Sequence, residues 1–385
     1  MRRVLRVIVV TAFVAAVASA CYPPLSSPGK TGEIQFVSTS TLNGWKYDYY
    51  RNTAYPCSIS GYQTFVIGTK IGSSSTAPRP LWAFLHGGGV GYFDSAGNPV
   101  PGPGHKVEEG AASLVGHLDN NGLLGRVRAD AAQFRTLAVS YCNHDVYAGG
   151  ETPDPNNPNT TPDGKARTTN GVFSPKAAIQ FAQHTYPTTT TFVHGGSAGS
   201  VGAFMVAWSM QLQGVAPAGV VADASIVNVE AMRAAHAADI CVDKNDPNRA
   251  GAVAKRIHPD LANVDNEADK LVSSSRLTVP LLHIWNHGDL NTCGSTPLRC
   301  PLRDGTSATM GITDCIHEPM QRAIAALGPT SRSANLPVCV DNDATPDCSV
   351  HVVTNKVGLT NTDPATPADY LTAIMDWIHA RLADT

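Results

Sequence analysis

No run of like charges occurs in the 385 residues, and only 15% of the side chains are charged, 28 basic against 31 acidic. The electrostatic footprint that nucleic-acid binding needs is missing, so nucleic acid is excluded as a partner. After the first twenty residues no segment reaches the roughly 18 uninterrupted apolar residues of a membrane-spanning helix. Internal repeats are absent, and none of the nine cysteines forms a C-x-x-C pair, which argues against structural zinc. What is present is a composition with 43% hydrophobic residues, enough to bury one sizeable core. A single elaborated domain over 44–385 accounts for the length.

The amino-terminal segment has its own pattern. Arg2, Arg3 and Arg6 precede an apolar stretch over 7–17, then Ala18, Ser19 and Ala20 precede Cys21. This is the layout of a signal peptide over 1–20, so an exported mature protein is expected. Small residues directly before a cysteine also resemble the lipobox of bacterial lipoproteins, although Ala18 stands where leucine is usual. Lipid attachment at Cys21 and a membrane tether through it are therefore expected, with 21–43, rich in Pro, Ser, Thr and Gly, as a flexible tether. The other eight cysteines, Cys57, Cys142, Cys241, Cys293, Cys300, Cys315, Cys339 and Cys348, form an even set. In an oxidising compartment such a set forms disulfides, here up to four.

Apolar and β-branched runs over 62–67, 81–85, 134–139, 190–193, 219–222, 279–284 and 350–353 predict strands. Helical periodicity over 175–185, 198–213, 316–327 and 367–382 separates several of them. The last helix has Thr366 as its expected N-cap, Pro367 at the first position, and Leu371, Ile374, Ile378 and Leu382 on one face. This alternation predicts an α/β fold, a mostly parallel sheet with helices on both faces. The stretch 149–170, crowded with Pro, Asn, Thr, Asp and Gly, reads as a long surface loop. The polar stretch 241–276 reads as an insertion that could help form a lid.

Chemistry concentrates in two glycine-rich motifs. Gly195-Gly196-Ser197-Ala198-Gly199 follows a β-rich run and opens a helical pattern, the context of a nucleophile elbow with Ser197 at its tip. His86-Gly87-Gly88-Gly89 ends the run over 81–85 and matches a loop whose N–H groups stabilise an oxyanion. The expected donors are Gly88, Gly89 and Ala198. In the chain order serine, acid, histidine, Asp289 follows the predicted strand over 279–284 and His351 precedes the final helix. Asp239, Asp223 and Asp314 remain alternative acids, and Asp223 is read as a holder of neighbouring loops. His317 and His379 lie in helical patterns and are read as structural. His283 and His287 have an H-x-x-x-H spacing but lie on a strand end without the glutamate of a zinc protease motif. Asp341, Asp343 and Asp347 lack the glycine and glutamate of an EF-hand. No metal site and no cofactor is expected.

These residues resemble the pectin acetylesterase and Notum family of α/β-hydrolases, over most of the mature chain. The resemblance is carried by the oxyanion loop, by Tyr141-Cys142-Asn143-His144-Asp145-Val146, by the nucleophile motif, by Asp289, and by Cys348-x-x-His351. It implies an α/β-hydrolase fold, Tyr141 and Asp145 as part of the substrate-binding wall, and hydrolysis of carboxylic esters by a Ser197–His351–Asp289 triad. Val90 and Gly91 stand where that family has tryptophan and cysteine, and Ser200 where it has a further glycine. Members deacetylate plant pectin or remove a fatty acyl group from a protein. The expectation is a monomeric secreted serine esterase that deacetylates an acylated carbohydrate. A deacylase for longer acyl groups and a non-catalytic glycan-binding surface lipoprotein are the alternatives.

Overall fold

Three short segments, Arg79–Leu85, Arg135–Val139 and Gly219–Asp223, have every side chain out of solvent, as expected of parallel strands covered on both faces. In the computed structural model, which describes residues 22–74, 76–102, 104, 106–225, 228–240, 247–339, 349–356 and 369–384, they lie inside a nine-stranded sheet. Its strands in chain order are β1 (Ile34–Leu42), β2 (Trp45–Pro56), β3 (Tyr62–Lys70), β4 (Arg79–Leu85), β5 (Arg135–Val139), β6 (Thr188–Gly196), β7 (Gly219–Asp223), β8 (Leu281–Asn286) and β9 (Ala334–Val338). The spatial order is β1-β2-β3-β5-β4-β6-β7-β8-β9. The first three strands pair antiparallel, and from β5 to β9 every pairing is parallel.

Side chains alternate along each strand, so one sheet feeds two cores. Leu81, Ala83 and Leu85 point into a core shared with α3 (Phe173–Thr185) and α4 (Ala198–Leu212). Trp82 and Phe84 point the other way, against α1 (Ala111–Leu118), α2 (Leu123–Ala129) and the final helix. Helix α4 is apolar nearly all round and is buried accordingly. Three helices follow β7 and α5 (Val229–Ala237): α6 (Pro247–Ala254), α7 (Pro259–Ala262) and α8 (Ala268–Ser273). Helix α9 (Ile312–Leu327) precedes β9, and α10 (Tyr370–Leu382) closes the chain.

Three expectations are corrected. The segment after Cys21 is no free tether: Leu25 is buried, its carbonyl accepts from Lys176 Nζ at 2.8 Å and from Ser209 Oγ at 2.5 Å, and β1 occupies Ile34–Leu42. The run over 350–353 is no strand. In place of a ladder partner, Val350 O accepts from Asn286 Nδ2 at 3.2 Å, and Val353 O accepts from Tyr370 Oη and, in a tight turn, from Lys356 N at 3.0 Å. The last helix is capped by Asp369, whose carboxylate accepts from Leu371 N and Thr372 N. Thr366 and Pro367 lie outside the described residues, as do the signal segment, Cys21, Cys241, Cys348 and the acidic loop of Asp341, Asp343 and Asp347. The described part of the lid insertion is fastened to the body. Arg256 is buried, pairs with Asp154 at 2.6 Å and donates to the carbonyls of Gly91 and His144.

Cys57 pairs with Cys142 and Cys300 with Cys315, and Cys293 and Cys339 are also disulfide-bonded. These bonds are compatible with an extracytoplasmic protein. Among the described residues no helix is long and apolar enough to cross a membrane.

Candidate active site

Serine is a favoured helix N-cap because its hydroxyl can accept from the first turn. Ser197 occupies the N-cap position of α4, yet its side chain makes no capping bond. Its backbone sits at φ 56° and ψ −123°, outside the regions that L-residues favour, at a cost of about 1–3 kcal/mol. The reversal this creates between β6 and α4 explains the flanking glycines. A Cβ at Gly195 would lie 2.0 Å from the Gly199 carbonyl oxygen, and one at Gly199 would lie 1.9 Å from the Leu85 carbonyl oxygen. The freed Ser197 hydroxyl meets His351 instead, with Oγ 2.7 Å from Nε2.

His351 Nδ1 lies 2.6 Å from Asp289 Oδ2. The carboxylate is an acceptor, so Nδ1 carries the proton and Nε2 offers its lone pair to the serine hydroxyl. Asp289 follows β8 and is 1% exposed, whereas the His351 side chain is 18% exposed. The second carboxylate oxygen accepts from Asn291 N at 2.8 Å, which fixes the plane of the group. The sequence-predicted Ser197, His351 and Asp289 are therefore brought together in one chain of hydrogen bonds. Two of the alternative acids are not. Asp314 pairs with His287, and Asp239 sits at an exposed turn after α5. His317 is buried against His283 at 2.9 Å, and burial holds both rings below their ordinary basicity. His379 pairs with Asp130 on the surface. His283 and His287 have these separate partners and do not act as a pair.

The loop after β4 leans on the nucleophile. A Cβ at Gly87 would touch Ser197 Cβ at 2.8 Å, and Gly89 adopts φ +74° beside an exposed Gly88. Ala198 opens α4, where first-turn N–H groups lack intrahelical partners. The wall residues require a correction. Tyr141 is 3% exposed and Asp145 is fully buried, so neither side chain is placed to touch substrate. Tyr141 instead braces the loop from behind, its hydroxyl donating to Gly89 O and accepting from Val146 N, both at 2.9 Å. Asp145 accepts from Gly171 N at 2.9 Å, and burial raises its carboxyl above the usual range. Ser200, where the resembled family has glycine, donates to Ser197 O at 2.6 Å.

Spacing did not reveal how the base is suspended. Asp223, at the end of β7, accepts Ser197 N at its carbonyl at 2.9 Å and Thr354 N at its carboxylate at 2.7 Å. Burial, partly offset by the Thr354 bonds, pushes its carboxyl up to about 6. His194, near the carboxyl end of β6, reaches Thr354 Oγ1 at 3.2 Å, and burial pushes its imidazole down to about 3. Also unforeseen is a trio beside the oxyanion loop, His86, Glu109 and His117, whose ligand atoms all lie within 4.8 Å of one another.

No protein-family model matches the sequence, and neither does any curated protein. Among solved structures, carboxyl esterase 2 from the mycorrhizal fungus Tuber melanosporum aligns over 96% of this chain and 97% of its own, with 14% identity and a TM-score of 0.49. An S-formylglutathione hydrolase from Agrobacterium tumefaciens aligns over 79% and 89%, with 11% identity and a TM-score of 0.44. A rice cell wall degrading esterase from Xanthomonas oryzae aligns over 82% and 91%, with 10% identity and a TM-score of 0.41. None of these three is a pectin acetylesterase. A parallel sheet entered through antiparallel hairpins, with β5 and β4 exchanged in order and a strained serine between β6 and α4, is the architecture of an α/β-hydrolase fold.

Proposed function

We propose that the protein is a serine hydrolase of carboxylic esters. The observation that carries the reading is the pair of contacts from His351, 2.7 Å to Ser197 Oγ and 2.6 Å to Asp289. In this mechanism His351 takes the Ser197 proton as Oγ attacks the ester carbonyl. The N–H groups of Gly88, Gly89 and Ala198 receive the resulting oxyanion, each such donor contributing about 3–4 kcal/mol to the transition state. The imidazolium returns its proton to the leaving alcohol, and water then hydrolyses the acyl-enzyme by the same base. The chemistry proceeds with the chain's own groups.

The favoured substrate is a short acyl ester, acetyl on a polysaccharide, on the strength of the motif resemblance to pectin acetylesterases. Export through the segment 1–20 and a lipid anchor at Cys21 complete the reading, and intact-mass analysis of the protein made in a bacterial host tests both. The deciding assay is hydrolysis of p-nitrophenyl acetate, butyrate and palmitate, and acetate release from acetylated pectin, by the mature protein beside Ser197→Ala. The expected result is turnover of the acetyl substrates that disappears in the variant. Preference for palmitate would favour a lipid deacylase. Inactivity of the wild type on every ester would replace the proposal by a glycan-binding role.

A further inference from the structure

The oxyanion loop is held by its carbonyl groups. His86 O accepts from Tyr147 Oη at 3.2 Å, and the next carbonyl, Gly87 O, is taken by the His86 ring, whose Nδ1 lies 2.7 Å away. A carbonyl only accepts, so this nitrogen carries a proton. The second contact bears on the chemistry, because the Gly87 carbonyl and the Gly88 N–H belong to one rigid trans peptide plane and point in opposite directions. Gly87 lies against Ser197, and among the described residues no group accepts from Gly88 N. The imidazole that grips Gly87 O thus sets the direction of a free N–H beside the nucleophile.

The ring is itself gripped from its other edge. His86 Nε2 lies 2.9 Å from Glu109 Oε2, and Glu109 Oε1 accepts from Ser113 Oγ at 2.6 Å. His117 stacks face to face on His86, with ring centroids 4.0 Å and planes 13° apart, and its Nε2 lies 3.3 Å from Glu109 Oε1. Each carboxylate oxygen therefore faces the edge of its own ring. The Glu109 backbone is fixed as well, its carbonyl accepting from Tyr49 Oη at 2.9 Å and Thr64 Oγ1 at 2.7 Å. Burial opposes the charge on Glu109, but hydrogen bonds from His117, His86 and Ser113 outweigh it and hold the carboxyl well below the usual range. A carboxylate and a carbonyl both only accept, so a His86 ring between them donates from both nitrogens and carries a positive charge.

We propose that His86 and Glu109 are positioning residues of the oxyanion hole, an ion-paired clamp that aims the Gly88 N–H by holding the carbonyl of the same peptide. The role rests on the esterase reading. A charge-assisted hydrogen bond to Gly87 O is stronger than a neutral one, and it polarises the peptide so that Gly88 N–H becomes the better donor. Both side chains act through the backbone of the loop. The clamp counts when negative charge develops on the ester oxygen, so its loss belongs in kcat and not in KM.

The test compares the mature wild type with four variants on p-nitrophenyl acetate, each with circular dichroism unchanged. His86→Leu removes the donor, and because loss of one oxyanion donor costs about 100-fold or more, kcat should fall by that order with KM nearly unchanged. His86→Asn places an amide N–H where Nδ1–H stood and should recover about tenfold or more of that loss. Glu109→Ala should lower kcat about tenfold or more, and Glu109→Gln, whose amide N–H can donate to Nε2 and keep the proton on Nδ1, should restore most of it. His86→Leu within about threefold of wild-type kcat, or His86→Asn no better than His86→Leu, overturns the clamp, and Glu109→Ala at wild-type kcat removes Glu109 from it. Nitrogen-15 spectra of the histidine side chains read the tautomer without turnover. The His86 signal, assigned by its absence in His86→Asn, should show a proton on Nδ1 in the wild type, and a ring protonated at Nε2 alone also overturns the clamp. A wild type inactive on every ester ends the esterase reading and the clamp with it, whereas the failures above leave that reading intact.

Discussion

Replacing Asp289 by asparagine tests the proposed acid at a single functional group. Asp289 Oδ1 accepts from Asn291 N at 2.8 Å, so the amide oxygen of an asparagine is required there. Its NH₂ then faces His351 Nδ1, where the carboxylate stood at 2.6 Å. A donor facing Nδ1 forces the imidazole proton onto Nε2, and the nitrogen beside Ser197 Oγ can no longer accept the hydroxyl proton. Loss of the productive tautomer lowers kcat by about 10⁴ in serine triads. At about 1.36 kcal/mol per decade this is about 5.5 kcal/mol of transition-state stabilisation.

The control is Asp223→Asn, the other buried carboxylate beside the base. Its Oδ2 accepts Thr354 N, and an amide oxygen can accept the same bond. Initial rates on p-nitrophenyl acetate between pH 6 and 9 should show the large loss in kcat for Asp289→Asn, with KM nearly unchanged, and a loss below about tenfold for Asp223→Asn. An Asp289→Asn enzyme that keeps more than a tenth of wild-type kcat, or an Asp223→Asn enzyme that is the more damaged, would refute the assignment of the acid.

Three further outcomes follow from particular contacts. In Gly199→Ala the new Cβ meets backbone, Leu85 O at 1.9 Å and His86 O at 3.0 Å, with no flexible side chain to yield. The variant should lose about 3 kcal/mol or more in urea unfolding and about 100-fold or more in kcat, and near-wild-type values would contradict the packing. Replacing Cys57 and Cys142 by alanine opens a link between residues 85 apart, worth about 4–5 kcal/mol by loop closure, so a fall of only about 1 kcal/mol in unfolding free energy would count against this link as a main brace. For pH, the Asp223 carboxyl is raised to about 6, so the folded state holds a proton that the unfolded chain releases near 4. The associated stability is full below about 4 and is lost as pH rises through about 6. Asp223→Asn does not titrate, so its stability relative to wild type should rise by up to about 3 kcal/mol between pH 4 and 7, and a flat difference would remove Asp223 as the titrating group.

Legibility in the sequence followed how local each constraint is. The elbow is set within five residues, because two glycines must pass backbone and the serine must hold a positive φ, so Ser197 stands out in one line of text. The buried parallel strands were equally readable as apolar runs. Strand β1 was not, since Q-F-V-S-T-S-T-L has both faces exposed and offers no alternation, and its pairing to β2 comes from the adjacent turn. His351 was found by chain order, but the strand expected around it was wrong. Val350, Val352 and Val353 are β-formers by type, but Val350 O is taken by the Asn286 side chain and Val353 O by Tyr370 Oη and the turn N–H of Lys356. The His86–Glu109–His117 trio joins a strand end to a helix and has no spacing signature.

The parallel half of the sheet explains why these residues meet. Strands β6, β7 and β8 run in one direction, so their carboxyl ends open at one edge and present Ser197, Asp223 and Asp289 in turn. Ser197 and the His351 loop are bound to the same residue, one through the Asp223 carbonyl and the other through its carboxylate. Asn286 at the end of β8 takes Val350 O on the opposite side of His351. The base is therefore slung between the ends of β7 and β8, the next two strands in the sheet after the nucleophile strand, and its distance from Ser197 is fixed by the sheet more than by its own loop. A weak local signal at His351 is the consequence of that division, since the residues that locate it lie more than sixty positions away in the chain.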